Sequence, residues 1–141
     1  MPDYTIESTY HLPVFRHRTY SAQTAAQACR LAIEDDDWEG EKLDHDSAGE
    51  TFTSGIWEGV DAAYSRASTP VPSQFEETDQ RKAKHFEILL SLLKMLLADT
   101  AARRASSPEW IKRAAWEITR GEAIIAGRRD PDHPPGGDTA G

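Results

Sequence analysis

Six of the chain's nine leucines fall between residues 89 and 97. Whatever core this chain builds has to be arranged around that cluster, because large aliphatic side chains are scarce elsewhere. Leu, Ile, Val and Phe supply 24 of the 141 residues, about 17%, below the roughly 20% that separates globular from disordered compositions. Nineteen alanines and the eight Trp and Tyr residues must fill the remainder. This excludes a large enzyme with a deep, enclosed interior. It leaves one small domain, or two very small ones.

The leucine cluster has helical periodicity. Phe86, Leu89, Leu90, Leu93, Leu96 and Leu97 form a stripe, widened by Ile88, Leu92 and Met95. Ser73 and Glu76 have the spacing of a capping box, so the helix is predicted from about residue 73 to Arg103. Ser107-Pro108-Glu109 then reads as an N-cap, a proline at the first helical position and an acid in the first turn. The second helix carries Trp110, Ile111, Ala114, Ala115, Ile118 and Ile125, and Gly127 can end it. The short connection predicts an antiparallel helical hairpin over 73–127. Gly121 inside the second helix costs about 1 kcal/mol relative to Ala and suggests a close neighbour. Phe86, Leu89, Leu93, Leu96 and Leu97 are expected to be core or dimer seam. The stripe is wider than one partner helix covers, so a second copy of the chain is a candidate partner. Arg81, Lys82, Lys84 and Lys94 make the helix basic and amphipathic, a pattern that also suits a membrane surface; a bundle helix is the plainer reading.

The first half reads differently. Tyr4, Ile6, Tyr10, Leu12 and Val14 share one parity, which predicts extended structure. Pro13 cannot donate to a ladder, so two strands are expected, about 4–11 and 14–20, paired as an antiparallel hairpin. Ser21 is the expected cap of a helix ending near Glu34, with Cys29 buried on its small alanine face. Phe52 and Ile56 predict a strand over 50–58, with a weaker one at 41–44 and a helical turn at 59–64. The expected architecture is α+β: a small antiparallel sheet with one packed helix over 1–64, a linker at 65–72, the helical hairpin, and a disordered Pro- and Gly-rich tail at 128–141.

The net charge is −8, divided as −11 over residues 1–79 and +3 over 80–141. Between Glu34 and Glu50 there are nine acids and one base, Lys42. Acids at a helix C-terminus oppose the macrodipole, so this segment works against its own helix, a conflict that often marks function. Asp35, Asp36, Asp37, Trp38, Glu39, Glu41, Asp44 and Asp46 are therefore the candidate partner-binding residues. Such a surface can meet the arginines and lysines of a basic groove as a nucleic-acid backbone does. A nucleic-acid-binding enzyme is a candidate partner on that reading, and direct DNA binding by this acidic chain is not expected. Asp35, Asp37, Glu39, Gly40 and Asp46 also occupy positions 1, 3, 5, 6 and 12 of a helix–loop–helix calcium loop. Lys42 at the usually apolar eighth position and the short Asp46 at the twelfth depart from that pattern. His11, His17, His45, His85 and His133 form no helical zinc pair. No nucleophile elbow, phosphate-cradling glycine loop or Cys–His dyad is present, so neither an enzyme nor a cofactor is expected. One cysteine and no leader-like N-terminus point to a cytoplasmic protein.

Residues 4–58 resemble the small hairpin–helix–strand domain called DpnD/PcfM-like. The resemblance lies in Tyr4-Thr-Ile-Glu-Ser-Thr-Tyr, in Arg16-His-Arg-Thr-Tyr-Ser-Ala-Gln-Thr-Ala-Ala-Gln-Ala-Cys, and in a strand ending at Trp57. It implies a plasmid or phage setting and assigns no site residue. The acidic loop is longer and more charged than that domain leads one to expect. The function expected is non-enzymatic protein binding through the acidic loop, with a nucleic-acid-mimicking inhibitor of a restriction or CRISPR-type enzyme and a calcium-binding regulator as alternatives.

Overall fold

The computed structural model describes residues 1–132. It has four strands and three helices: β1 (Tyr4–Thr9), β2 (Val14–Phe15), α1 (Ala25–Glu34), β3 (Lys42–Leu43), β4 (Phe52–Glu58), α2 (Thr78–Ala101) and α3 (Pro108–Ile125). The α+β class, the antiparallel pairing and the C-terminal helical pair are as expected. The residues gather into two compact units, one of 1–9 with 52 onward, the other of 10–51. The first groups β1 and β4 with the helical pair, spanning the 65–72 stretch read as a linker.

The strands do not pair as sequence neighbours. β1 is antiparallel to β4, with Ile6 opposite Ile56 and a bulge between Glu7 and Ser8. β2 is antiparallel to β3, with Val14 opposite Leu43. The expected β1–β2 hairpin is therefore absent. The connecting Tyr10-His-Leu-Pro13 lacks the Gly, Asn or Asp that a tight hairpin turn requires. Its backbone bonds go elsewhere: the Pro13 carbonyl accepts from Asp44 N and the His11 carbonyl from Gly49 N, both at 2.9 Å.

In the first unit, Trp57 is buried against Tyr64, ring centroids 4.6 Å apart, and its indole covers Gly55. A Cβ at Gly55 would lie 2.4 Å from that indole. Thr5 Oγ1 donates to the Gly59 carbonyl and accepts from Ala62 N, so it holds the turn that follows β4. That turn is not the helical one expected at 59–64, since Asp61 and Tyr64 both have positive φ. Within 65–72, Thr69 N donates to the Ile56 carbonyl on β4.

α2 begins later than the capping box predicts. Ser73–Phe75 form a 3-10 turn and Glu77 is the N-cap of α2. The Ser73 hydroxyl is used otherwise: it accepts from Asp130 N at 2.8 Å. α3 starts as expected, with Ser107 Oγ accepting from Trp110 N and Pro108 at its first position. It ends in a Schellman motif at Gly127 (φ 68°), with Arg128 N bonded to the Ala123 carbonyl and Gly127 N to that of Ile124. Residues 128–132, the described part of the expected tail, are thus tied to the helical pair; 133–141, with His133, lie outside the described residues.

α1 is shorter than expected. Its N-cap is Thr24, whose hydroxyl accepts from Gln27 N, instead of Ser21. None of its residues is buried. Ala28 and Ala32 are half-buried against Arg16, Arg18 and Tyr20, and Cys29 is exposed where burial was expected. The physical reason is that polar side chains, with no apolar layer, pack on the alanine face.

Candidate functional site

Two surfaces hold the residues singled out from the sequence, one in each unit. The first is the acidic loop after α1. Asp35 is the C-cap of that helix. Its carboxylate accepts from the Tyr20 hydroxyl at 2.7 Å, from Arg18 Nη1 at 3.0 Å and from Asp37 N at 3.0 Å. The Tyr20 hydrogen bond is the chief cause holding the Asp35 carboxyl at about 2, below the ordinary 3.8, helped by Asp37 N and the two arginines. Asp37 accepts from Glu39 N and pairs with Arg18 Nη2 at 3.3 Å; these contacts, in that order, lower its carboxyl as well.

Arg16 resolves the conflict between the helix end and its acids. Its Nη2 donates to the Ala32 carbonyl at 2.8 Å and the Asp35 carbonyl at 2.6 Å, and its Nη1 donates to the Asp37 carbonyl. The guanidinium thus occupies the negative end of the helix dipole, where a cation is favoured. It also lies 4.1 Å from the centroid of the Trp38 ring, a cation–π contact that orders the tryptophan. Trp38 keeps 45% of its surface exposed. Asp44 turns inward and accepts from Asp46 N and Ser47 N. Asp36, Glu39, Glu41 and Asp46 remain exposed.

The calcium arrangement is not formed. Asp35 and Asp37 spend their lone pairs on arginine, tyrosine and backbone N–H groups. Among the described residues no three His, Cys, Asp or Glu side chains are placed to hold a metal ion.

The second surface is on the helical pair. The face that α2 turns to α3 is not the leucine stripe. Arg81, His85, Leu92 and Asp99 are the buried residues of α2, and Glu117, Ala123 and Ile124 those of α3. Glu117 has no exposed surface, and its carboxylate lies 3.3 Å from His85 Nδ1, 3.2 Å from Arg113 and 3.7 Å from Arg120. Arg120 Nε and Arg81 Nη2 both reach Asp130, at 3.2 and 2.8 Å, and Arg81 Nη2 also donates to the Arg128 carbonyl. This buried ionic seam was not foreseen. The spacing of Arg113, Glu117 and Arg120 on one helix face was visible, yet nothing local said that this face is the inner one. Gly121 does mark a close approach: a Cβ there would stand 3.0 Å from His85 Nε2.

Phe86, Leu89, Leu93 and Leu97 are therefore not core. They are 63, 38, 63 and 65% exposed, with Leu90 at 45%, and Leu96 is half-buried. Ile118 and Ile125 of α3 are 57 and 78% exposed. Phe86, Leu89 and Ile125 line one groove of about 340 Å³ with Gly121 at its floor, so the two helices share this apolar face. No described helix is long and apolar enough to cross a membrane. No protein-family model, curated protein or solved structure matches the chain.

Proposed function

We propose that this is a non-enzymatic protein-binding module whose principal contact surface is the apolar face of the α2–α3 pair. The exposure of Phe86, Leu90, Leu93, Leu97, Ile118 and Ile125, all between 45 and 78%, carries the reading. A contiguous apolar surface of that kind on a small protein marks an interaction site. The nearby groove is lined by Phe86, Leu89, Ile124 and Ile125, with Gly121, Lys82 and His85 beside them. The ordered acidic loop is a second contact surface. Four exposed carboxylates and a fixed Trp38 on an arginine-braced turn suit a basic partner, which keeps nucleic-acid mimicry as the second reading.

Capture from lysate of the source organism, with nuclease present, tests the assignment of surfaces. The wild type is compared with Leu93→Glu and with a loop variant carrying Asp36→Asn, Glu39→Gln and Glu41→Gln. The expected result is a protein retained by the wild type and loop variant but lost with Leu93→Glu. Loss with the loop variant alone, together with displacement by DNA, moves the mimic to first place. Retention by both variants removes both surfaces.

A further inference from the structure

We infer that the apolar face of the helical pair is covered by a second copy of this chain, with the two α2 helices antiparallel across a two-fold axis. The inference rests on the protein-binding reading above and names its partner. At their observed exposures, Phe86, Leu90, Leu93, Leu97, Ile118 and Ile125 offer on the order of 700 Å² of surface, close to the ~800 Å² that each partner contributes to a standard interface. Two helices from each copy would then complete a four-helix bundle, the arrangement that a two-helix layer with one apolar face calls for.

Charge selects the antiparallel direction. With Leu90 opposite the partner's Leu93, Phe86 meets the partner's Leu97, and the exposed Asp79 comes to the end that carries exposed Arg103, where Arg104 is already paired with Asp99. The helix dipoles also oppose, which is favourable. A parallel arrangement would instead set Lys82 against Lys82 and Lys94 against Lys94. The rim is mixed in sign, with exposed Asp79, Glu87 and Glu122 beside those lysines. An anionic membrane surface would favour a rim of one sign, so a protein face is the better match.

Sedimentation equilibrium on the full chain tests the inference first. The expected mass is twice the 15.7 kDa of one chain, falling to one chain's mass in Leu93→Glu with its circular dichroism unchanged, since Leu93 has no role in the protomer core. The direction is read separately in a Cys29→Ser background. Mixed Phe86→Cys and Leu97→Cys chains are expected to form the mixed disulfide in several-fold excess over either self-disulfide; an excess of self-disulfides overturns the antiparallel arrangement. A one-chain mass at every concentration overturns self-association. If that monomer still loses a different captured protein through Leu93→Glu, the protein-binding reading stands without this inference. If it instead binds phosphatidylserine vesicles through the same face, or if Leu93→Glu changes nothing, both fall.

Discussion

Arg16 shows how a single side chain can reconcile a sequence with its fold. Three consecutive aspartates at a helix C-terminus are unfavourable by themselves. One guidinium group donating to three carbonyls of that terminus, stacked on Trp38, replaces the missing basic last turn. Asp35 is the second member of this arrangement, and its depressed carboxyl makes the loop acid-sensitive. Because the folded value of about 2 lies below the ordinary 3.8, the stabilisation is complete above the higher value and is lost as pH falls toward the lower one. The Trp38 indole resonance is expected to shift through that window in an NMR titration, and Asp35→Asn should leave it displaced at neutral pH. An unchanged Trp38 signal in that variant would show that Asp35 does not order the loop. Gly121 makes a second residue-scale case. Alanine there gains about 1 kcal/mol of helix propensity, but its Cβ meets His85 Nε2 at 3.0 Å. His85 is 4% exposed and sits 3.3 Å from the Glu117 carboxylate, so yielding to the new Cβ disturbs that buried pair. The expected net result of Gly121→Ala in a urea melt is a loss of about 1 kcal/mol.

At the scale of elements, the helix ends follow local rules and the strand partners do not. Ser107-Pro108 and Gly127 do what their residue types dictate, and both were legible in the sequence. α2 closes with the same motif as α3, but with Arg103 at the left-handed position (φ 52°), where Arg104 N bonds to the Asp99 carbonyl. Glycine is the residue suited to that conformation. Arg103→Gly is therefore expected to raise stability by about 1 kcal/mol, read as a higher urea midpoint with an unchanged slope. A lower midpoint would mean that the Arg103 side chain contributes more than its backbone strain costs. The capping box failed for an instructive reason. Ser73 has the right spacing to Glu76, but a tertiary partner, Asp130 N, takes its hydroxyl. β1 likewise had the alternation of a strand, while its partner, 43 residues beyond its end, was not readable from a local pattern.

For the whole molecule, the two units differ in what holds them. The first has Trp57, Leu92, Ala123 and Ile124 buried, together with the Glu117 seam. The second, residues 10–51, has no buried residue and is held by Arg16, Arg18 and Tyr20 on one helix end. A unit with few buried apolar contacts opens at low free-energy cost. Amide hydrogens of α1 are accordingly expected to exchange at least tenfold faster than those in the middle of α3. Equal protection would mean that the second unit opens only with the first.

The sequence by itself determined the class, the positions of the helices and of the long strands, and the placement of acids and leucines on separate segments. These depend on period, capping and charge within a few turns. Tertiary structure decided which strand pairs with which, which carboxylates of the acidic loop are spent on Arg16, Arg18 and Tyr20, and which side of α2 turns inward. The last choice could not be made locally. The apolar arc of α2 is wider than one helix covers, and α3 arrives with Glu117 buried beside His85. It takes that side, and the leucine stripe is left facing outward.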